Sequence, residues 1–201
     1  MIKLYYAPRT RAVRILWLLE ELGLPYELAR VEFKPTTERF FIQDTPTGKL
    51  PTIEDGDVVM AESGAIIEYL LETYGEGRLA PPPGSPARAA YLQWFHFAES
   101  TAFPPMGIVV WLTVYRTDAA KHPEVIADAT IRAQAGLDQV EKALAGNDYI
   151  LGPTFTAADI MLGFTLYAAQ ILNLMDARQV NIAAYLQRLM ARPALQKAMA
   201  A

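Results

Sequence analysis

The chain contains no cysteine, which removes disulfides, thiolate-ligated zinc and every mechanism built on a protein thiolate. Any thiol chemistry must use a thiol that a ligand brings. Histidine is nearly as scarce. His96 and His122 lie far apart in sequence, so a histidine metal site or a Ser-His-acid triad has little to draw on; His96 is expected to be structural, His122 exposed, and no metal is expected. No run approaches the ~18 successive apolar residues of a membrane span. The N-terminal residues MIKLYY also lack the charged stretch and apolar core of a secretory signal. The expected compartment is therefore the cytoplasm, with no membrane partner. Basic blocks are missing too: 18 Lys and Arg against 22 Asp and Glu leave a net charge of -4, which gives no electrostatic footprint for nucleic acid. What the chain has in plenty is apolar side chains. They make up 52% of 201 residues, ample for the core of one large domain or two small ones.

Strand and helix patterns alternate at first. Ile2 to Tyr6 is β-rich, and Arg11 to Leu22 sets Ala12, Ile15, Leu16, Leu19 and Leu22 on one helical face before Gly23 stops it. Tyr26 to Phe33 alternates in the strand manner and Thr37 to Gln43 suits a short helix. Thr52-Ile53 and Val58 to Met60 form a hairpin about Asp55-Gly56-Asp57. A helix running to Tyr74 and ended by Gly75 closes the segment. The order βαβ, then ββα, predicts a mixed sheet with helices on its faces. Gly75 to Pro86, which includes Pro81-Pro82-Pro83, reads as a linker. It divides the chain into residues 1–75, a linker 76–86 and residues 87–201.

Beyond the linker every segment reads helical. Ser85-Pro86 opens a helix through Trp94 and Phe97 that Pro104-Pro105 is expected to break or kink. A long helix follows from about Pro123 to Ala145. Phe155-Thr156-Ala157-Ala158-Asp159-Ile160 combines a capping box with a hydrophobic staple. Two short helices, Ile182 to Ala191 and Pro193 to Ala200, end the pattern and are separated at Arg192-Pro193.

The most informative run is Lys49-Leu50-Pro51-Thr52-Ile53, followed by Glu62-Ser63 at a helix start. A proline just before a strand fixes a bend and leaves the Leu50 N–H and C=O facing outward, free to pair with another backbone. Ser63 is placed to cap the helix Gly64 to Tyr74, whose unpaired N–H groups and positive dipole end favour a carboxylate. Glu62 offers a charge for an ammonium group. The ligand so described has a peptide-like middle, a carboxylate and an amine.

The ordered set of motifs resembles the cytosolic glutathione transferase superfamily across essentially the whole chain. Arg11 to Tyr26 looks like that family's first helix and second strand, and Gly48-Lys49-Leu50-Pro51 like its cis-proline loop. Glu62 to Leu70 is similar to its glutathione-binding helix, Phe155 to Ile160 to its capping box, and Arg192-Pro193 to its late helix break. The resemblance implies an α/β thioredoxin-like N-terminal domain that binds glutathione as co-substrate. It also implies an all-α C-terminal domain lining an acceptor pocket, and a homodimer. Glutathione meets the ligand description above.

Conjugation needs glutathione as a thiolate, and a free thiol with a pKa of about 8.5 is mostly protonated at neutral pH. Thr10, directly before the first helix, can converge with the following N–H groups on one anion, or serve simply as a cap. Tyr5 is the alternative hydroxyl, because related branches use a tyrosine near the end of the first strand. Arg9-Thr10-Arg11 stands where the family usually has its Ser, Cys or Tyr signature. Arg9 and Arg11 are candidates for stabilising the thiolate or glycine carboxylate, as are Lys34 and Lys49 for that carboxylate. The acceptor pocket is assigned to the Ala7-Pro8 loop and to Phe103, Met106, Val110, Trp111 and Tyr115. The main expectation is thiol transfer to small hydrophobic electrophiles. Glutathione-dependent peroxide or disulfide reduction, and a noncatalytic glutathione-binding regulatory module, stand as alternatives.

Overall fold

In the computed structural model, which describes residues 1–32 and 44–201, strand alternation decides the first element. Ile2, Leu4 and Tyr6 of β1 (Ile2–Tyr6) are buried, while Lys3 and Tyr5 stand half-buried on the other face. α1 (Ala12–Leu22) begins one residue later than the sequence suggests, with Arg11 at its N-cap position. Gly23 ends it at φ 69, and the Gly23 and Leu24 N–H groups close on the carbonyls of Glu20 and Leu19. β2 (Tyr26–Arg30) runs parallel to β1. It stops short of the expected end at Phe33, which lies outside the described residues, as do Lys34 and the expected helix Thr37 to Gln43. β3 (Thr52–Asp55) and β4 (Val58–Ala61) form the hairpin, with Gly56 at φ 60 in the two-residue turn. The sheet is mixed, ordered β2-β1-β3-β4, and α2 (Ser63–Tyr74) leaves it from the end of β4.

Two compact units divide the chain: residues 1–79 with 190–201, and residues 80–189. The sequence places the last twelve residues with the helical domain, but in the structure they pack on α1. The reason is a specific set of bonds from α8 (Pro193–Ala200) and its approach. Arg192 donates from Nε and Nη2 to the two oxygens of Glu21 at 2.7 Å each, and Lys197 meets Glu20 at 3.1 Å. The Tyr6 hydroxyl donates to the Ala198 carbonyl at 3.1 Å.

The second unit holds α3 (Pro86–Phe97), α4 (Phe103–Val110), α5 (Pro123–Ala143), α6 (Ala157–Ile171) and α7 (Val180–Met190). Of the break or kink expected at Pro104-Pro105, the break does not occur. Ala98–Ala102 forms a π-helical turn that carries α3 into α4, and a second such turn, Trp111–Tyr115, extends α4. The prolines lack the N–H groups that α geometry demands and crowd the preceding turn; a wider turn ahead of them relieves both defects. The resulting helix, Pro86–Tyr115, is long and apolar enough by length and composition to cross a membrane. Its fully buried stripe of Tyr91, Phe95, Ala98, Ala102 and Met106 packs instead into the unit's core against α5 and α6. Small residues allow that approach: a Cβ on Gly136 of α5 would lie 3.7 Å from the Ala102 Cα. The capping box at α6 forms as the sequence suggests, with Thr156 and Asp159 satisfying each other's backbone N–H groups.

Candidate functional site

Strand register builds the site. Tyr5 of β1 stands beside Thr52 of β3, which stands beside Ala61 of β4. The segments that continue from this row, Ala7 to Arg11, Leu50-Pro51 and Glu62-Ser63, therefore share one end of the sheet. The Leu50-Pro51 bond is cis. Leu50 precedes the ladder, which begins with Thr52, and Thr52 Oγ1 donates back to the Lys49 carbonyl at 2.8 Å. Lys49 itself is exposed, and no ion pair engages it among the described residues.

At the start of α2 the structure corrects the capping role given to Ser63. The helix begins with Ser63 itself, and Glu62 takes the N-cap position at φ 69, with its side chain exposed and making no cap bond. A non-glycine residue there is uncommon and strained. Its carbonyl accepts the Ile66 N–H at 2.9 Å, so the N–H groups of Ser63, Gly64 and Ala65 have no partner inside the helix. Ser63 is buried, and its Oγ accepts a hydrogen bond from Arg14 Nη1 at 3.0 Å.

The Ala7 to Arg11 loop turns through Arg9 at φ 62, with Pro8 and Arg9 exposed and Thr10 and Arg11 half-buried. Thr10 Oγ1 accepts the Ala12 N–H at 3.3 Å and donates to the Ala7 carbonyl at 2.7 Å. Thr10 thus occupies a capping geometry with its proton on a loop carbonyl. Tyr5, the other hydroxyl considered, donates to Glu54 Oε1 at 2.6 Å; that bond to a carboxylate raises the phenol pKa. Its proton is committed within the sheet.

Of the apolar residues assigned to an acceptor pocket, Phe103, Val110, Trp111 and Tyr115 are half-buried along one helix, and the Trp111 and Tyr115 rings meet edge to face. Met106 differs: it is fully buried. The expectation for the two histidines is reversed, since His96 is exposed on α3 and His122 is half-buried, 3.6 Å from Asp118. Among the described residues no group of three or more His, Asp or Glu is placed to hold a metal ion.

Arg14 is the site-end residue that sequence reasoning missed. It falls off the apolar stripe of α1 and so reads as a solvent-facing charge, yet it is fully buried. The signal was present in its neighbours: Val13 and Leu18 are off the stripe as well, and every other residue from Ala12 to Leu19 is apolar. A helix apolar on all sides is a buried helix.

Comparison with known proteins agrees with this architecture. The family model for the glutathione S-transferase N-terminal domain matches residues 1–72, and that for the C-terminal domain matches residues 123–197. Glutathione S-transferase 3 of Schizosaccharomyces pombe is 29% identical over 207 residues, covering 96% of this chain and 85% of that protein. Glutathione S-transferase GstB of Escherichia coli strain K12 is 31% identical over 195 residues, covering 94% and 92%. Among solved structures, a glutathione transferase family member from Pseudomonas fluorescens Pf-5 with two glutathione bound superposes with a TM-score of 0.83 at 27% identity. That match covers 98% of this chain and 92% of the other. With both domain families matched in order and the cis-proline and helix-start geometry in place, the chain belongs to the glutathione S-transferase family.

Proposed function

We propose that this protein binds glutathione at the sheet end built by the Tyr5, Thr52 and Ala61 row and transfers its thiol to small hydrophobic electrophiles. The observation that carries the reading is that row, because it brings a peptide-pairing bend, an anion-binding helix start and a hydroxyl loop to one place. Leu50 pairs with the cysteinyl backbone. Ser63 and the open N–H groups of α2 take the γ-glutamyl carboxylate, and Glu62 takes the ammonium. Arg11 or Lys49 meets the glycine carboxylate.

Thr10 activates the sulfur by turning its O–H from the Ala7 carbonyl to the thiolate while Oγ1 keeps the Ala12 N–H. Lowering a thiol pKa by about two units takes roughly 2.7 kcal/mol, within reach of one charge-assisted hydrogen bond plus a helix start. The thiolate then attacks an electrophilic carbon and forms the C–S bond; a leaving group departs with the electron pair, or the adduct takes a proton. In the helical unit, the half-buried Phe103, Val110, Trp111 and Tyr115 offer apolar surface for that electrophile, with Met106 buried beneath them; in the first unit, the exposed Pro8 is the candidate contact. A cytoplasmic homodimer completes the reading.

The test is the thiolate absorbance of bound glutathione against pH. Wild type should show a thiol pKa well below the free value, and Thr10→Ala should return it toward that value and slow conjugation by about 10- to 100-fold. An unchanged pKa in Thr10→Ala rules out Thr10 as the activating group. A second reading, reduction of a disulfide by two glutathione molecules with release of glutathione disulfide, is favoured by the two glutathione bound in the Pseudomonas fluorescens relative. Binding without any depression of the thiol pKa in wild type turns the assignment to it.

A further inference from the structure

We infer that Arg14 is a positioning residue that makes Ser63 an obligatory hydrogen-bond donor, so that the site selects a carboxylate at the start of α2; this rests on the glutathione-binding reading above. Two observations meet here. The Arg14 guanidinium, fully buried in the first turn of α1, donates from Nη1 to Ser63 Oγ at 3.0 Å. Ser63, only 4% exposed, has no acceptor for its own proton among the described residues.

A serine hydroxyl has one proton and two lone pairs, while arginine has donors only and stays charged. With Arg14 donating into one lone pair, the serine proton cannot turn back to Arg14. It is left to an incoming acceptor. The same contact brings a buried guanidinium to Ser63 at the start of α2, where the N–H groups of Ser63, Gly64 and Ala65 have no partner inside the helix and the dipole is positive. An anion gains from both, whereas a neutral group gains only a hydrogen bond. Arg14 therefore sets what the helix start accepts without touching the ligand.

The test compares two ligands on the full chain by calorimetry: glutathione, and γ-aminobutyryl-cysteinyl-glycine, which lacks only the γ-glutamyl carboxylate. Wild type should prefer glutathione by at least about tenfold. Arg14→Gln supplies an amide oxygen that can take the Ser63 proton, so the preference should fall about tenfold while affinity for the analogue stays nearly unchanged. Arg14→Lys, a donor without an acceptor, should keep most of the preference. Ser63→Ala, which removes the donor but leaves the Arg14 charge in place, should lose most of the preference, and it keeps the inference testable if Arg14→Gln does not fold. A preference unchanged in Ser63→Ala, or an equal loss for both ligands in Arg14→Gln, overturns the inference. If wild type binds neither ligand, the glutathione reading itself fails and this inference falls with it.

Discussion

At the residue scale, the most demanding group outside the site is Asp159. Its Oδ1 accepts from the Ile150 N–H at 2.9 Å and the Tyr185 hydroxyl at 2.7 Å, and its Oδ2 from the Thr156 N–H at 2.7 Å and hydroxyl at 3.0 Å. Burial nonetheless pushes its carboxyl above the usual value, because those bonds offset only part of the desolvation. Asn at this position replaces one acceptor by an N–H2 group facing donors, so Asp159→Asn should destabilise by about 3 kcal/mol, read as a lower urea midpoint. The pH sign follows from the raised value. The native chain holds the proton more tightly, so this group's contribution is full below the unfolded pKa and declines as pH rises through the folded one. In Asp159→Asn that decline should vanish; a pH profile identical to wild type contradicts it. The capping box was readable from Thr156 and Asp159 alone, but the reach of Asp159 to Ile150 and Tyr185 was not, since those contacts depend on how α7 and the preceding loop pack.

At the element scale, periodicity located nearly every helix and strand, and it missed where elements meet. Arg14 and Pro104-Pro105 show why. A helical wheel marks one apolar face, but α1 is enclosed by the sheet, α2 and α8, so a residue off the stripe is buried too. A proline pair announces lost N–H donors without saying whether the chain breaks or widens into a π turn, as it does at Ala98–Ala102. The contact between α1 and α8 is equally invisible to local pattern. Its fixed point is the two-pronged pair of Arg192 with Glu21, whose side chains are 25% and 11% exposed. Glu21 also accepts the Trp17 Nε1–H at 2.8 Å. Arg192→Ala leaves that carboxylate without its cation in a largely covered setting, and should cost about 1–3 kcal/mol by urea unfolding. A loss within about 0.3 kcal/mol would place the pair with ordinary surface ion pairs.

At the scale of the whole molecule, chain order and unit membership differ. Residues 190–201 come last in sequence, and a linker at 76–86 suggests that everything after it is one domain, yet these residues complete the first unit. Long-range pairing of this kind leaves no local trace, which is why a mixed sheet and a last helix at Pro193 to Ala200 could be anticipated from the sequence but the packing of that helix on α1 could not. Removing residues 192–201 takes away Arg192, Lys197 and the buried Leu195 and Ala198, and strips the Tyr6 hydroxyl of the Ala198 carbonyl. It thus uncovers the part of α1 that α8 packs on while leaving α3 to α6 intact in sequence. Hydrogen exchange followed by mass spectrometry should show protection lost across Ile2–Leu22 and retained across Ala157–Ile171, with glutathione binding abolished because β1 and α1, which carry the proposed site end, lose their support. Equal loss in both segments would mean that the two units unfold as one cooperative body. Unchanged protection in Ile2–Leu22 would mean that α8 contributes little to the unit it joins.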